Sequence, residues 1–211
     1  MRTRQLYATI LGLGLASAAS GQATHMGEIF ITGPADAPTV GETYTMEVWG
    51  RFTSPDFVQG VSAIAGFGID IGLTGDSDPI ASIGNVHISD WASGFGQTGT
   101  VDGSTLRGVS GGQLANVFNL NPSINLDNPI LLFTFDFTAQ PYTHIGFTPM
   151  NPNPNGGLSF YPVSTAGASV TVPNNPDSSL TLSEFHYFVP APGSLAIFTM
   201  AFGSMAHRRR R

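Results

Sequence analysis

Gly108-Val109-Ser110-Gly111-Gly112 has the glycine-x-serine-x-glycine form that presents a nucleophilic serine. Asp127 or Asp136 followed by His144 completes the serine, acid, histidine order of a hydrolytic triad. Such chemistry needs Ser110 on a sharp strand-to-helix turn, a histidine to take its proton and a carboxylate to hold the imidazole. Glycine is 26 of 211 residues, so composition alone produces such patterns, and residues 113–118 read as a strand as readily as a helix. The motif is therefore read as a glycine turn between two strands, and no enzyme is expected. Residues 94–99 likewise have the glycine spacing of a dinucleotide loop, but no βαβ unit surrounds them to supply a helix N-terminus, and a plain loop is expected.

Binding chemistry has other candidates. Asp76 and Asp78 lie in one turn, Gly75-Asp76-Ser77-Asp78-Pro79, which binds calcium if backbone carbonyls complete the oxygen shell and is otherwise a solvated turn. Asn174, Asn175 and Asp177 form a second oxygen cluster with the same two readings. The five histidines have no zinc-ligand spacing. Trp49, Trp91, Tyr142, Tyr161 and Tyr187 would stack on sugar rings if they converged on one exposed face, and otherwise fill the edge of a core. Trp91, beside Asp90 in a loop-like stretch, is the best placed of them for a polysaccharide.

Charge divides the chain. Six of the eight basic residues sit at its ends (Arg2, Arg4 and Arg208 to Arg211), there is no lysine, and all fourteen acidic residues lie between Glu28 and Glu184. Residues 24–188 thus carry two arginines against fourteen carboxylates, a net charge of −12. Such a surface repels phosphate backbones, which excludes nucleic acid as a partner, and attracts divalent cations.

Both ends have the form of targeting segments. Arg2 and Arg4 precede an apolar run, residues 6–15, and then small residues where signal peptidase would cut after Ala18, Ala19 or Ala23, so residues 1–23 read as a signal peptide. At the other end, Pro190-Ala191-Pro192 leads into apolar residues 195–206 and then Arg208, Arg209, Arg210 and Arg211. Twelve helical residues span roughly 18 Å against a hydrocarbon core of about 30 Å, too short for a secure permanent span. The arginine block holds its end on the cytoplasmic side. A transient membrane tether follows. In this order of features residues 189–211 resemble the PEP-CTERM sorting signal of bacterial envelope proteins, with Ala191 standing where the family name implies a glutamate. The resemblance implies recognition by an exosortase-like sorting enzyme.

The part between is expected to fold as one all-β domain, residues 24–188, with the two terminal segments as flanking helices. It has no cysteine, so no disulfide supports it. Residues 129–139 alternate with Leu131, Phe133, Phe135 and Phe137 on one face, and residues 43–52 with Tyr44, Met46, Val48 and Gly50. Further strands are expected over residues 28–32, 61–73, 80–89, 113–120, 143–147, 158–161, 168–172 and 180–189. No sustained 3.6-residue apolar repeat occurs between Thr24 and Val189, which leaves two packed antiparallel sheets. Val40 to Trp49, Ala65 to Ile71 and Leu132 to Phe137 resemble strands of cohesin-like domains, which implies a nine-stranded, jelly-roll-like sandwich. The expected function is that of an exported, non-enzymatic envelope or matrix protein; the alternative is a secreted carbohydrate-binding module, calcium-assisted.

Overall fold

The computed structural model describes residues 24–75, 83–119, 123–139, 144–152, 157–173 and 178–188. The expected terminal helices, residues 1–23 and 189–211, lie outside that set. The described strands are β1 (His25–Thr32), β2 (Thr43–Thr53), β3 (Ala63–Gly75), β4 (Ile83–Ile88), β5 (Gln97–Asp102), β6 (Thr105–Gly112), β7 (Ile130–Thr138), β8 (His144–Met150), β9 (Leu158–Tyr161), β10 (Val170–Thr171), β11 (Ser178–Ser183) and β12 (Phe185–Phe188). They form two sheets, as expected, although the described strands number twelve rather than nine.

The first sheet runs β11-β1-β2-β7-β4. Its pairings are antiparallel except β1 with β11. In β2 the alternation is as read from the sequence: Met46, Val48, Gly50 and Phe52 are buried while Thr45, Glu47 and Arg51 are exposed. β7 departs from its expected phase. Phe133, Phe135 and Phe137 are fully buried, but Ile130 and Leu132 are buried too and Leu131 is not. The cause is a bulge. Val48 pairs with Phe133 and Trp49 with Leu131, so Leu132 is an extra residue that reverses the alternation below it. Before β7, the Asn128 amide accepts from Phe52 N–H and donates to Phe52 C=O, both at 2.9 Å, which continues the ladder through a side chain.

The second sheet is built on β3, which pairs β6 along one edge and both β9 and β8, end to end, along the other. β5, β10 and β12 add outer rows. The segment expected to be one strand over residues 180–189 is two, β11 in the first sheet and β12 in the second, broken at Glu184. Ile64, Phe67, Ile69, Ile71 and Leu73 of β3 face the core, where Phe133 meets Phe67 at 5.8 Å and Phe137 meets Phe147 at 4.9 Å. The opposite face of the sheet near Ala63 and Ala65 is covered by the connection after β6, through Ala115, Val117, Ile124 and Leu126.

Candidate functional site

The hydrolase pattern dissolves in three dimensions. Ser110 lies inside β6, not on a turn, opposite Gly68, while His144 starts β8 next to the residue paired with Gly75. The two are roughly 25 Å apart along β3. Asp136 sits on the other sheet, accepting from Thr45 Oγ1 at 2.6 Å and Asn85 Nδ2 at 2.9 Å. The glycines serve the backbone instead. Gly108, at φ 73°, forms a bulge opposite Asp70 and donates its N–H to Asp70 Oδ1 at 2.6 Å. The expected glycine turn over residues 108–112 is thus corrected to a bulged strand, and residues 94–99, expected as a plain loop, contain the end of a 3-10 helix, Asp90–Phe95, and the start of β5.

That 3-10 helix separates two clefts. Ala92 anchors it in the core, and Trp91 donates its indole N–H to Leu131 C=O at 2.7 Å while its ring packs 6.1 Å from Phe67. On one side is a cleft of about 660 Å³ bordered by Phe95, Leu114, Val117, Phe118 and Tyr161. Its rim is an exposed apolar patch: Phe95 is 59%, Leu114 60% and Phe118 87% exposed. Phe118 also stands at φ 63°, a left-handed conformation that costs a bulky residue about 1–3 kcal/mol.

The wall carrying Leu114 and Phe118 is held by Gln113, which is buried. Its Nε2 donates to Ile64 C=O and Asn125 C=O, both at 2.8 Å, and its Oε1 accepts from Asn125 N–H at 2.8 Å. Tyr161 Oη donates to Gln113 C=O at 3.2 Å. With its backbone so held, residues 113–119 do not form the strand expected over residues 113–120; a short 3-10 turn, Val117–Asn119, takes its place. The patch is not legible in the sequence because Leu114 and Phe118 fall in a segment that reads as a strand, and Phe95, isolated in a glycine-rich stretch, carries no periodic signal.

On the other side of the helix, Trp49 and Trp91 border a second cleft of about 420 Å³ with Asp90, Asp127, His87 and Ser89. Trp49 is oriented by its N–H, which donates to Thr32 Oγ1 and Glu47 Oε2 at 3.1 Å each. Ser89 Oγ is buried without a hydrogen-bond partner. Tyr161 and Tyr187 are buried elsewhere, and Tyr142 lies outside the described residues.

The calcium candidates Asp76 and Asp78, with Asn174, Asn175 and Asp177, fall outside the described residues, as do Pro190, Ala191, Pro192 and Arg208 to Arg211. Among the described residues no three His, Asp or Glu side chains converge to hold a metal, and no helix is long and apolar enough to cross a membrane.

Comparison with solved structures places the chain among cohesin folds. It is similar to the second type II cohesin module of the cellulosomal adaptor ScaA scaffoldin of Acetivibrio cellulolyticus, with a TM-score of 0.50 and 13% identity over 79% of this chain and 98% of that one. The seventh ScaB type I cohesin of Pseudobacteroides cellulosolvens gives 0.48 and 11% over 79% and 95%. A non-cellulosomal cohesin from the archaeon Archaeoglobus fulgidus gives 0.45 and 14% over 81% and 96%. No family model and no curated protein matches the chain. At such identity the likeness concerns the fold, and the expected cohesin-like sandwich is borne out at that level.

Proposed function

We propose that this protein is a non-enzymatic attachment module of the cell envelope or its matrix. In this reading it is exported by signal peptidase processing and sorted through its tail by an exosortase-like enzyme. The observation that carries the binding role is the patch of Phe95, Leu114 and Phe118, where large apolar side chains stand in water around a cleft and one is held in a costly backbone conformation. A cohesin of similar fold belongs to an adaptor scaffoldin, which supports reading this sandwich as an attachment unit. The ends of the chain support export, since their basic clusters would stay cytoplasmic and the acidic domain would not.

The test places a photo-crosslinking side chain at position 118 or, as control, at position 100 on β5, in native cells. A discrete protein adduct at 118 that disappears with Phe95→Ser and Leu114→Ser is expected. Equal adducts at both positions, or none at 118, would reject the patch as a binding surface.

A second reading rests on a different observation: the two tryptophans of the chain border one cleft that also holds an orphaned Ser89 hydroxyl and two carboxylates. An indole face and hydrogen-bonding groups beside it suit a sugar ring, so this cleft is read as a carbohydrate subsite. Trp49→Ala should then abolish retention on the cells' own polysaccharide while leaving the crosslink at position 118 intact. Unchanged retention would remove this reading.

A further inference from the structure

Two histidines on the outer face of the second sheet stand in a relation that neither reading uses. β12 pairs antiparallel with β8, with Phe188 opposite His144 and His186 opposite Gly146, so the histidines are diagonal neighbours on one face. His144 Nε2 and His186 Nδ1 are 3.0 Å apart. The other nitrogen of His186, Nε2, lies 3.1 Å from Glu184 Oε2. An ionised carboxylate only accepts, so in the neutral imidazole of His186 the proton sits on Nε2 and Nδ1 turns its lone pair toward His144. The rings are fixed from two further sides. Phe188 stacks on His144 at 4.7 Å and 17°, and a Cβ on Gly146 would fall 2.7 Å from His186 Nδ1, so the glycine is what lets the imidazole lie over β8.

We propose that His144 Nε2 and His186 Nδ1 form a chelating pair for a divalent transition-metal ion at the copper end of the first row, Cu(II) or Ni(II), with Glu184 as the positioning residue. An ion about 2.0–2.1 Å from each nitrogen would subtend an angle of about 91–97°, close to that of adjacent positions in a square-planar or tetragonal shell. A tetrahedral ion would need the nitrogens about 3.3 Å apart. On binding, His144 moves its proton from Nε2 to Nδ1, so that both nitrogens facing the ion offer lone pairs and no net charge is lost. Glu184 holding the far N–H of His186 is the carboxylate–histidine–metal arrangement that fixes the tautomer and raises ligand basicity. Water completes the shell. The net negative charge of residues 24–188 favours cations near the protein as a whole. The ion would clip β12 to β8 and so stabilise the sheet edge in proportion to its saturation.

Titrating the purified full chain with copper sulfate tests this by electron paramagnetic resonance and thermal unfolding. One ion per chain, nitrogen hyperfine structure from two imidazoles and a Tm that rises with copper are expected. His144→Gln and His186→Gln should each weaken binding at least tenfold. Glu184→Gln should weaken it about tenfold without altering the unliganded Tm, which a merely structural contact would lower. His25→Gln and His87→Gln should leave the copper affinity unchanged. A wild-type spectrum with one nitrogen donor or none, or unchanged affinity when both His144 and His186 are replaced, would overturn the proposal. A loss that follows His25→Gln or His87→Gln instead would do the same.

Discussion

At the scale of single residues, the core is filled by fully buried aromatic side chains. Phe135 is fully buried, 6.3 Å from Phe133 and 5.7 Å from Phe147. Phe135→Ala should therefore leave a cavity between the sheets and lower stability by about 3–5 kcal/mol, read from denaturant unfolding. An unchanged midpoint would mean that the core collapses around the gap. Gly99 is constrained through its backbone. It has φ 72°, and a Cβ there would run into the carbonyl oxygen of Arg107 on β6. Gly99→Ala should cost at least about 1–2 kcal/mol from conformation alone, whereas Gly103→Ala, at φ 58° in open space, should cost only that conformational part. Equal losses at the two glycines would show that the contact with β6 contributes nothing. The sequence made the phenylalanines legible through their alternation but not the glycines. Whether a glycine is needed depends on what a partner strand places next to it.

Among elements, the connection from Gln113 to β7 matters most to the binding surface, because its described residues have little secondary structure and one buried side-chain amide, that of Gln113, ties Asn125 to Ile64 of β3. Gln113→Leu would orphan Ile64 C=O and both backbone groups of Asn125, each unsatisfied group costing about 1–3 kcal/mol where water cannot replace it. Hydrogen exchange should then accelerate in residues 113–126 well before the core strands, with a loss of the crosslink at position 118. Protection unchanged across that stretch would show that the small apolar cluster of Ala63, Ala115 and Tyr161 suffices to hold it. The strand expected over residues 113–120 does not form over its described part because Ala115 and Val117 pack against the outer face of a sheet while Leu114 and Phe118 face solvent. β7 shows the same limit more mildly: its three phenylalanines were legible, and the bulge at Leu132 that turns Leu131 outward was not, since a bulge is set by pairing with β2.

For the whole molecule, the buried core of the described residues runs from Gly27 to Tyr187. Removing residues 190–211 should accordingly leave a folded, soluble domain with an unchanged Tm, released into the medium. A truncated chain that fails to fold would make the tail an integral helix and end the sorting hypothesis. Replacing Arg208 to Arg211 with glutamates in the full chain should abolish retention instead, because acidic residues contribute little to holding the tail on the cytoplasmic side. Retention at wild-type levels would show that the apolar segment anchors without its basic end. Mass spectrometry of protein from native cells should find an amino terminus between Ala19 and Thr24, and an intact Met1 on surface-located protein would contradict export by this route.

What the sequence determined by itself is what local pattern and composition carry. Alternation in β2 and β7, with no helical period, specified an all-β sandwich, and the segregation of arginine from carboxylate set an acidic stretch between two basic ends. Tertiary structure decided what depends on distant partners. It separated Ser110 from His144, set β8 and β9 end to end on β3, and gathered Phe95, Leu114 and Phe118 around one cleft and Trp49 and Trp91 around another. It also brought His144 and His186 to 3.0 Å across a strand pair. The physical reason is one of range: side-chain alternation follows from the dihedral angles of neighbouring residues, whereas a site assembled across strands is fixed by register, and register is set only when the sheets close on a common core.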